Sequence, residues 1–120
     1  MIGNDVKVVI AGSREITNYS ELIRAIEDSK FEITAVVSGT ARGVDRMGER
    51  FAVENNLEVL PYPANWDKYG KRAGYLRNSE MADVSDAAII LWDGESKGTK
   101  MMIEEMKKRK KPVYVRIVKE

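Results

Sequence analysis

Five short apolar runs, at residues 6–11, 33–37, 57–60, 87–92 and 113–118, are separated by segments of helical period, and that alternation constrains the fold more than any other feature. Each run is rich in Val, Ile or Leu and short enough for a strand. Between them, Leu22, Ile23 and Ile26, then Val44, Met47 and Phe51, then Met102, Ile103 and Met106 recur at helical spacing. The resulting β-α-β-α-β-α-β-α-β order calls for right-handed crossovers and a parallel sheet covered on both faces. The expected fold is α/β, a Rossmann-like three-layer domain with a five-stranded parallel sheet in the order 3-2-1-4-5. Residues 8–11 and 87–91 are apolar without alternation, as central strands buried on both faces require. Val113, Val115 and Ile117 alternate with Tyr114, Arg116 and Val118, which suits an edge strand.

The chain has 120 residues, 43% of them hydrophobic, so a single domain over residues 1–120 is expected. No internal repeat, low-complexity tract or linker interrupts it. There is no cysteine and no histidine. Disulfides, thiolate zinc sites, Cys or Ser–His nucleophile systems and a histidine general base are thereby excluded. Any chemistry must use Asp, Glu, Arg, Lys, Ser, Thr or Tyr. The net charge of +1 provides no global basic field, so a nucleic-acid partner is not expected. No cationic stretch followed by an apolar segment opens the chain, and no apolar run approaches membrane-spanning length. A cytoplasmic location without membrane attachment is the expectation.

In the order 3-2-1-4-5 the chain reverses direction between the first and fourth strands, and ligands of open α/β sheets sit at such a point, beyond the carboxyl ends of the strands. Three loops converge there. After the fourth strand come Asp93, Gly94, Glu95, Ser96, Lys97, Gly98 and Thr99. The two glycines let backbone N–H groups turn toward a ligand, the following helix N-terminus favours an anion, and Ser96 and Thr99 add hydroxyls. An ordinary glycine turn with Thr99 as helix cap is the alternative. The Gly-Lys-Ser/Thr ending of a P-loop is absent. Asp93 and Glu95 would repel a phosphate unless they face ribose hydroxyls or a Mg²⁺ ion, so no cofactor is required but Mg²⁺ is compatible. After the second strand, Ser38, Gly39, Thr40, Ala41, Arg42, Gly43, Val44 and Asp45 form a second potential anion cradle. Arg42 could pair with a phosphate, and Asp45 could accept ribose hydroxyls or simply complement the helix dipole. Gly12, Ser13 and Arg14 end the first strand in the same way.

On the helix before the fourth strand, Gly74, Arg77, Asn78 and Met81 share one stripe. If it faces inward, Arg77 and Asn78 need partners, and a bound anion would supply one. The opposite orientation puts Leu76 inside and pairs Arg77 with Glu80 or Glu104. Before it, residues 61–70 read as a loop with three aromatics. Trp66 or Tyr69 could stack on a base, whereas Tyr62 reads as an anchor to the core. Trp92 is either pocket wall or core. The cationic run 107–111 reads as helix C-terminal charge, with Glu104 to Lys108 and Glu105 to Arg109 as favourable pairs.

Taken together, the segments at 12–14, 38–45, 66–81 and 93–99 resemble the SLOG superfamily, which unites DprA/Smf-type proteins with the Lonely-Guy phosphoribohydrolases. The resemblance is greatest to its small YspA-like, YpsA-related branch. It implies a Rossmannoid fold and a nucleotide-type ligand, with the glycine loop before the last helix on phosphate and Arg77 nearby. In the phosphoribohydrolases, carboxylates two and three places after the Gly-Thr pair assist cleavage of the base–ribose bond. Here those places hold Met101 and Met102. No neutral side chain stabilises oxocarbenium-like charge or activates water as a carboxylate does. DprA-type relatives bind single-stranded DNA, a property that a chain without a basic surface gives no reason to share.

The expected function is binding of a nucleotide or nucleotide-derived ligand by a sensor or sequestering protein. Hydrolysis of an N-glycosidic or phosphate bond, with Asp93, Glu95 or Asp45 as the carboxylate, is the alternative, and single-stranded DNA binding the third. Relatives often form dimers, so a homodimer or higher homo-oligomer is compatible. A Met-rich face on the last helix would permit one if exposed, though Met101 and Met102 could equally be core.

Overall fold

The first strand, β1 (Lys7–Gly12), is buried on both faces along most of its length, and residues of that kind need neighbours on either side and layers above and below. The computed structural model describes residues 5–119 and supplies both. Residues 1–4, on which part of the leader expectation rests, lie outside it, as does residue 120. The elements that follow are α1 (Tyr19–Ser29), β2 (Ala35–Ser38), α2 (Val44–Glu54), β3 (Glu58–Pro61), α3 (Trp66–Tyr69), a 3₁₀ turn (Gly70–Arg72), α4 (Ala73–Val84), β4 (Ala87–Trp92), α5 (Lys97–Lys108) and β5 (Val113–Ile117). All strands are parallel, in the order β3-β2-β1-β4-β5, as the alternation of the sequence implies. The alternating last run forms an edge.

Strand residues alternate between two cores. Val8, Ile10, Val36, Ile89 and Leu91 point to one face, where Leu22 and Ala25 of α1 and Val44, Met47 and Ala52 of α2 cover them. Val9, Ala11, Val37, Ala88 and Ile90 point to the other, beneath Met81 and Ala82 of α4 and Met102, Ile103 and Met106 of α5. Met102 and Met106 of α5 pack on the sheet, and Met101 is half-buried beside Asn78. No helix among the described residues is long and apolar enough to cross a membrane.

Two local expectations are corrected. Residues 66–69 are helical instead of loop: Asn65 Oδ1 accepts from Lys68 N at 3.1 Å, capping a turn that the 3₁₀ segment carries into α4. Of the two pairs expected in the cation run 107–111, Glu105 to Arg109 forms and Glu104 to Lys108 does not. Lys108 bonds Glu105 at 3.0 Å and Glu104 faces solvent, while Arg109 bridges Glu105 and Asp83, at 2.8 Å each. Lys111 Nζ donates to the carbonyls of Ala82 and Asp83, satisfying the C-terminus of α4. Arg109 and Lys108, with Ser79, hold the Glu105 carboxyl down at about 2. These cations tie α4 to α5.

Candidate functional site

β1 and β4 lie side by side at the reversal of strand order, and their ends come so close that only glycine fits. A Cβ on Gly12 would stand 2.1 Å from the carbonyl oxygen of Leu91. Beyond this point Ser13 N donates to Leu91 O at 3.1 Å, and the buried Ser13 hydroxyl accepts from Asp93 N at 3.1 Å. The chain after β1 is thus sewn to the chain after β4. It is also locked to the chain after β2, because Gly43, at φ 78°, would place a Cβ 2.5 Å from Arg14 O. Three loops therefore meet at one rim, as their sequence positions imply.

They enclose a cleft of about 370 Å³. Its floor is apolar, made by Ala11, Met81 and Met102, and its walls are polar: Ser13, Arg14, Asp45, Arg77, Asn78, Asp93, Ser96 and Thr99 all reach it, with Gly12 and Gly98. A second hollow of about 190 Å³ adjoins it, sharing Arg14, Ala41 and Arg77 and lined further by Gly39, Thr40, Arg42 and Trp66. Ser38, Trp92 and Gly94, singled out in the sequence, reach neither hollow, and nor do the candidate carboxylate Glu95 and the candidate stacking ring Tyr69. Ser38 is fully buried beneath its loop, donating to Glu49 Oε2 at 2.7 Å and accepting from Thr40 N at 3.1 Å. Trp92 packs on the second core and donates from Nε1 to Ser96 O at 3.0 Å, bracing the loop from behind. Gly94 turns outward toward Lys119. Ala11, Glu15, Met81 and Met102 line the cleft without having been expected to, and Ala41 lines it as part of the second loop. Met81 and Met102 read as core in a one-dimensional pattern, and they are core on the side away from the cleft.

The stripe on α4 faces inward. Met81 and Asn78 are buried, whereas Leu76 is 44% exposed. Neither Glu80 nor Glu104 pairs with Arg77. Its Nη1 donates to Gly39 O at 2.6 Å and its Nε to Asn78 Oδ1 at 3.0 Å. Asn78 Nδ2 in turn donates to Gly98 O at 3.3 Å, which ties the stripe to the start of α5. Among the described residues neither Arg77 nor Arg14 forms an ion pair. Burial lowers the pKa of the Arg77 guanidinium from its ordinary value, with Asp45 opposing the shift. Arg42, by contrast, is exposed and paired with Glu15.

Asp45 sits at the start of α2, 6% exposed, and Oδ2 accepts from Ala41 N at 3.1 Å. Burial pushes its carboxyl up from 3.8 to about 6, against the lowering effects of the Ala41 amide, Arg77 and Arg14. It is a cleft carboxyl that titrates near neutrality.

The loop after β4 is built otherwise. Asp93 Oδ1 accepts from Glu95 N and Ser96 N, both at 2.8 Å, which holds the Asp93 carboxyl below its ordinary value. Two amides that could have turned toward a ligand are thereby taken inward. The helix starts earlier than a Thr99 cap would place it: Ser96 is the cap, its Oγ accepting from Thr99 N at 3.3 Å, and Thr99 lies in the first turn. Gly98 has nothing within 4 Å of a would-be Cβ, so its side-chain position is open space.

A model of the YspA, cpYpsA-related SLOG family (YAcAr) matches residues 6–69. The Gene 61 protein of Mycobacterium phage D29 is similar at 33% identity over 117 residues, 89% of this chain and 93% of that protein. Among solved structures, DNA processing protein A (DprA) from Streptococcus pneumoniae resembles this fold with a TM-score of 0.75, at 17% identity over 92% of this chain. The chain spans 50% of that protein's length, and the likeness is one of fold.

Proposed function

The chain belongs to the YspA, cpYpsA-related SLOG family, and from that premise we propose that its cleft binds a nucleotide or nucleotide-derived small molecule, as a cytosolic sensor or sequestering protein. One observation carries the reading: Arg77 is half-buried in the cleft wall and, among the described residues, hydrogen-bonds a carbonyl and an amide but no carboxylate, Asp45 acting on it only through space. A guanidinium withdrawn from water calls for an anion, and phosphate suits its planar fork. Arg14 adds a second unpaired cation on the same wall, and the first turn of α5 adds its N–H groups. The apolar floor would take a sugar or base edge, and Asp45 its hydroxyls.

A ligand held this way need not be cleaved. Met102 forms floor where the phosphoribohydrolases carry a carboxylate. Asp45 offers one carboxylate, which fits Mg²⁺ only as a companion of the ligand's own phosphate. Isothermal titration with mononucleotides and cyclic nucleotides should yield a binder that Arg77→Ala weakens about 10- to 100-fold, the range for losing a charged hydrogen bond. Absence of any binder, or an Arg77→Ala variant that binds as well as the parent, would sink the proposal.

A hydrolytic reading is favoured by one feature, the Asp45 carboxyl at about 6 beside the cleft, where a general acid or base would work. It predicts turnover of the bound nucleotide that Asp45→Asn abolishes while binding persists. Ligand recovered unchanged after long incubation excludes it.

A further inference from the structure

The cleft and the adjoining hollow share a wall of Arg14, Ala41 and Arg77, and neither guanidinium forms an ion pair among the described residues. Two unpaired cations on a partition call for an anion that bridges it. A terminal phosphate lying wholly in the main cleft would leave the far side of that wall unused.

The hollow is itself built for an organic group. Trp66 forms one side, 52% exposed, with its ring lying against Gly74, where a Cβ would come 3.4 Å from Cη2. The ring is therefore in contact with α4 at that atom and open to solvent over about half its surface. Pro63 and Ala64 give an apolar base. Thr40 also lines the hollow, a β-branched residue held at φ 63°, in the left-handed region that such side chains rarely adopt. The Ser38 hydroxyl, bonded to Thr40 N and to Glu49, maintains this conformation.

We infer that the ligand has two organic lobes joined by an anionic centre of the diphosphate type, the centre lying between Arg14 and Arg77 and the second, planar lobe stacking on Trp66. This rests on the proposed nucleotide-binding role of the cleft. It goes further in assigning the hollow as a subsite and in stating what kind of molecule fills both. A mononucleotide occupies the main cleft alone and forgoes the stacking. The Trp66 subsite therefore sets preference between ligands, while Arg77 sets whether anything binds.

The test is isothermal titration of AMP and of diadenosine 5′,5′-diphosphate into the parent protein, Trp66→Ala, Trp66→Phe and Arg77→Ala at one salt concentration. The dinucleotide should bind the parent roughly tenfold or more tightly than AMP. Trp66→Ala should erase that margin while leaving AMP affinity within about twofold, Trp66→Phe should keep most of it, and Arg77→Ala should weaken both ligands. Equal binding of the two ligands, or equal loss of both in Trp66→Ala, overturns the two-lobed site and leaves the nucleotide reading standing. Tighter, steeply salt-dependent binding of a short thymidine oligonucleotide overturns it in favour of a strand. Failure of both probes to bind at all overturns the two-lobed site, and the cleft's role then stands or falls by the wider panel of mononucleotides and cyclic nucleotides.

Discussion

The loop after β2 and the loop after β4 occupy equivalent places at the carboxyl edge of one sheet, carry glycines at similar spacing, and start a helix each, yet they are stabilised in opposite ways. The β4 loop satisfies itself: Asp93 accepts two of its amides, Ser96 caps its helix, and Trp92 braces it. The β2 loop depends on other segments. Gly39 O takes Arg77 from α4, Gly43 packs on Arg14, and Asp45 is buried with its charge incompletely compensated. The pairing teaches that a glycine-rich loop at a helix start is not by that fact a ligand cradle. One of these loops is prefolded scaffold that presents a helix end, and the other holds its charged groups under tension at the cleft.

The largest effect should come from the glycines. Gly43→Ala must push a Cβ into the Arg14 backbone at a φ that only glycine adopts easily, so chemical denaturation should show a loss of about 3 kcal/mol or more. Gly94→Ala also sits at positive φ, but its nearest neighbour is the mobile end of Lys119 at 3.5 Å, and about 1 kcal/mol is expected. Equal losses would contradict the contrast between a docked and a self-contained loop.

Next come the two aspartates, whose responses to acid should be opposite. Asp45 has a folded value of about 6, above its unfolded one, so the folded state holds a proton that the unfolded chain has released. Its burial is tolerated at low pH and costs on the order of 2–3 kcal/mol once pH rises past 6. Asp45→Asn should accordingly stabilise the protein by about that amount at pH 7.5, with the gain fading by pH 4 in thermal melts. Asp93 lies below its unfolded value, so its contribution is present at neutral pH and disappears as pH falls through the lowered value. Asp93→Ala should cost about 1 kcal/mol at pH 7.5 and progressively less in acid.

The smallest effect on stability belongs to Gly98→Ala, within about 1 kcal/mol and in the stabilising direction, since the new methyl meets no atom and alanine favours helix. Its value is that any loss of nucleotide binding must then come from the methyl projecting into the cleft.

Most of the architecture was legible in the chain. Periodicity alone leads to the parallel sheet and its edge strand, because a residue's place in a two-layered or three-layered sheet follows from how many of its faces must be apolar. Strand positions were within two residues. The inward stripe at Arg77 and Asn78 was visible as a pattern, but its direction was ambiguous, because Leu76 and Met81 are equally apolar on paper. Only packing against α5, through Asn78 and Gly98, decides it. Ser96 and Thr99 can both cap a helix, and the Asp93 turn determines which of them does.

What the sequence by itself determined was therefore the layered fold, the rim on which three loops converge, and the absence of a carboxylate at positions 101 and 102. All of these depend on residue type and spacing. The tertiary structure decided which cations remain unpaired and which acid is driven toward neutrality, because both depend on contacts between segments far apart in the chain. Glu15 neutralises Arg42, Asp93 turns back on its own loop, and Arg77 and Asp45 are left facing the cleft. Burial and pairing are properties of three-dimensional neighbours, and for ionisable groups they outweigh the chemistry of the side chain taken alone.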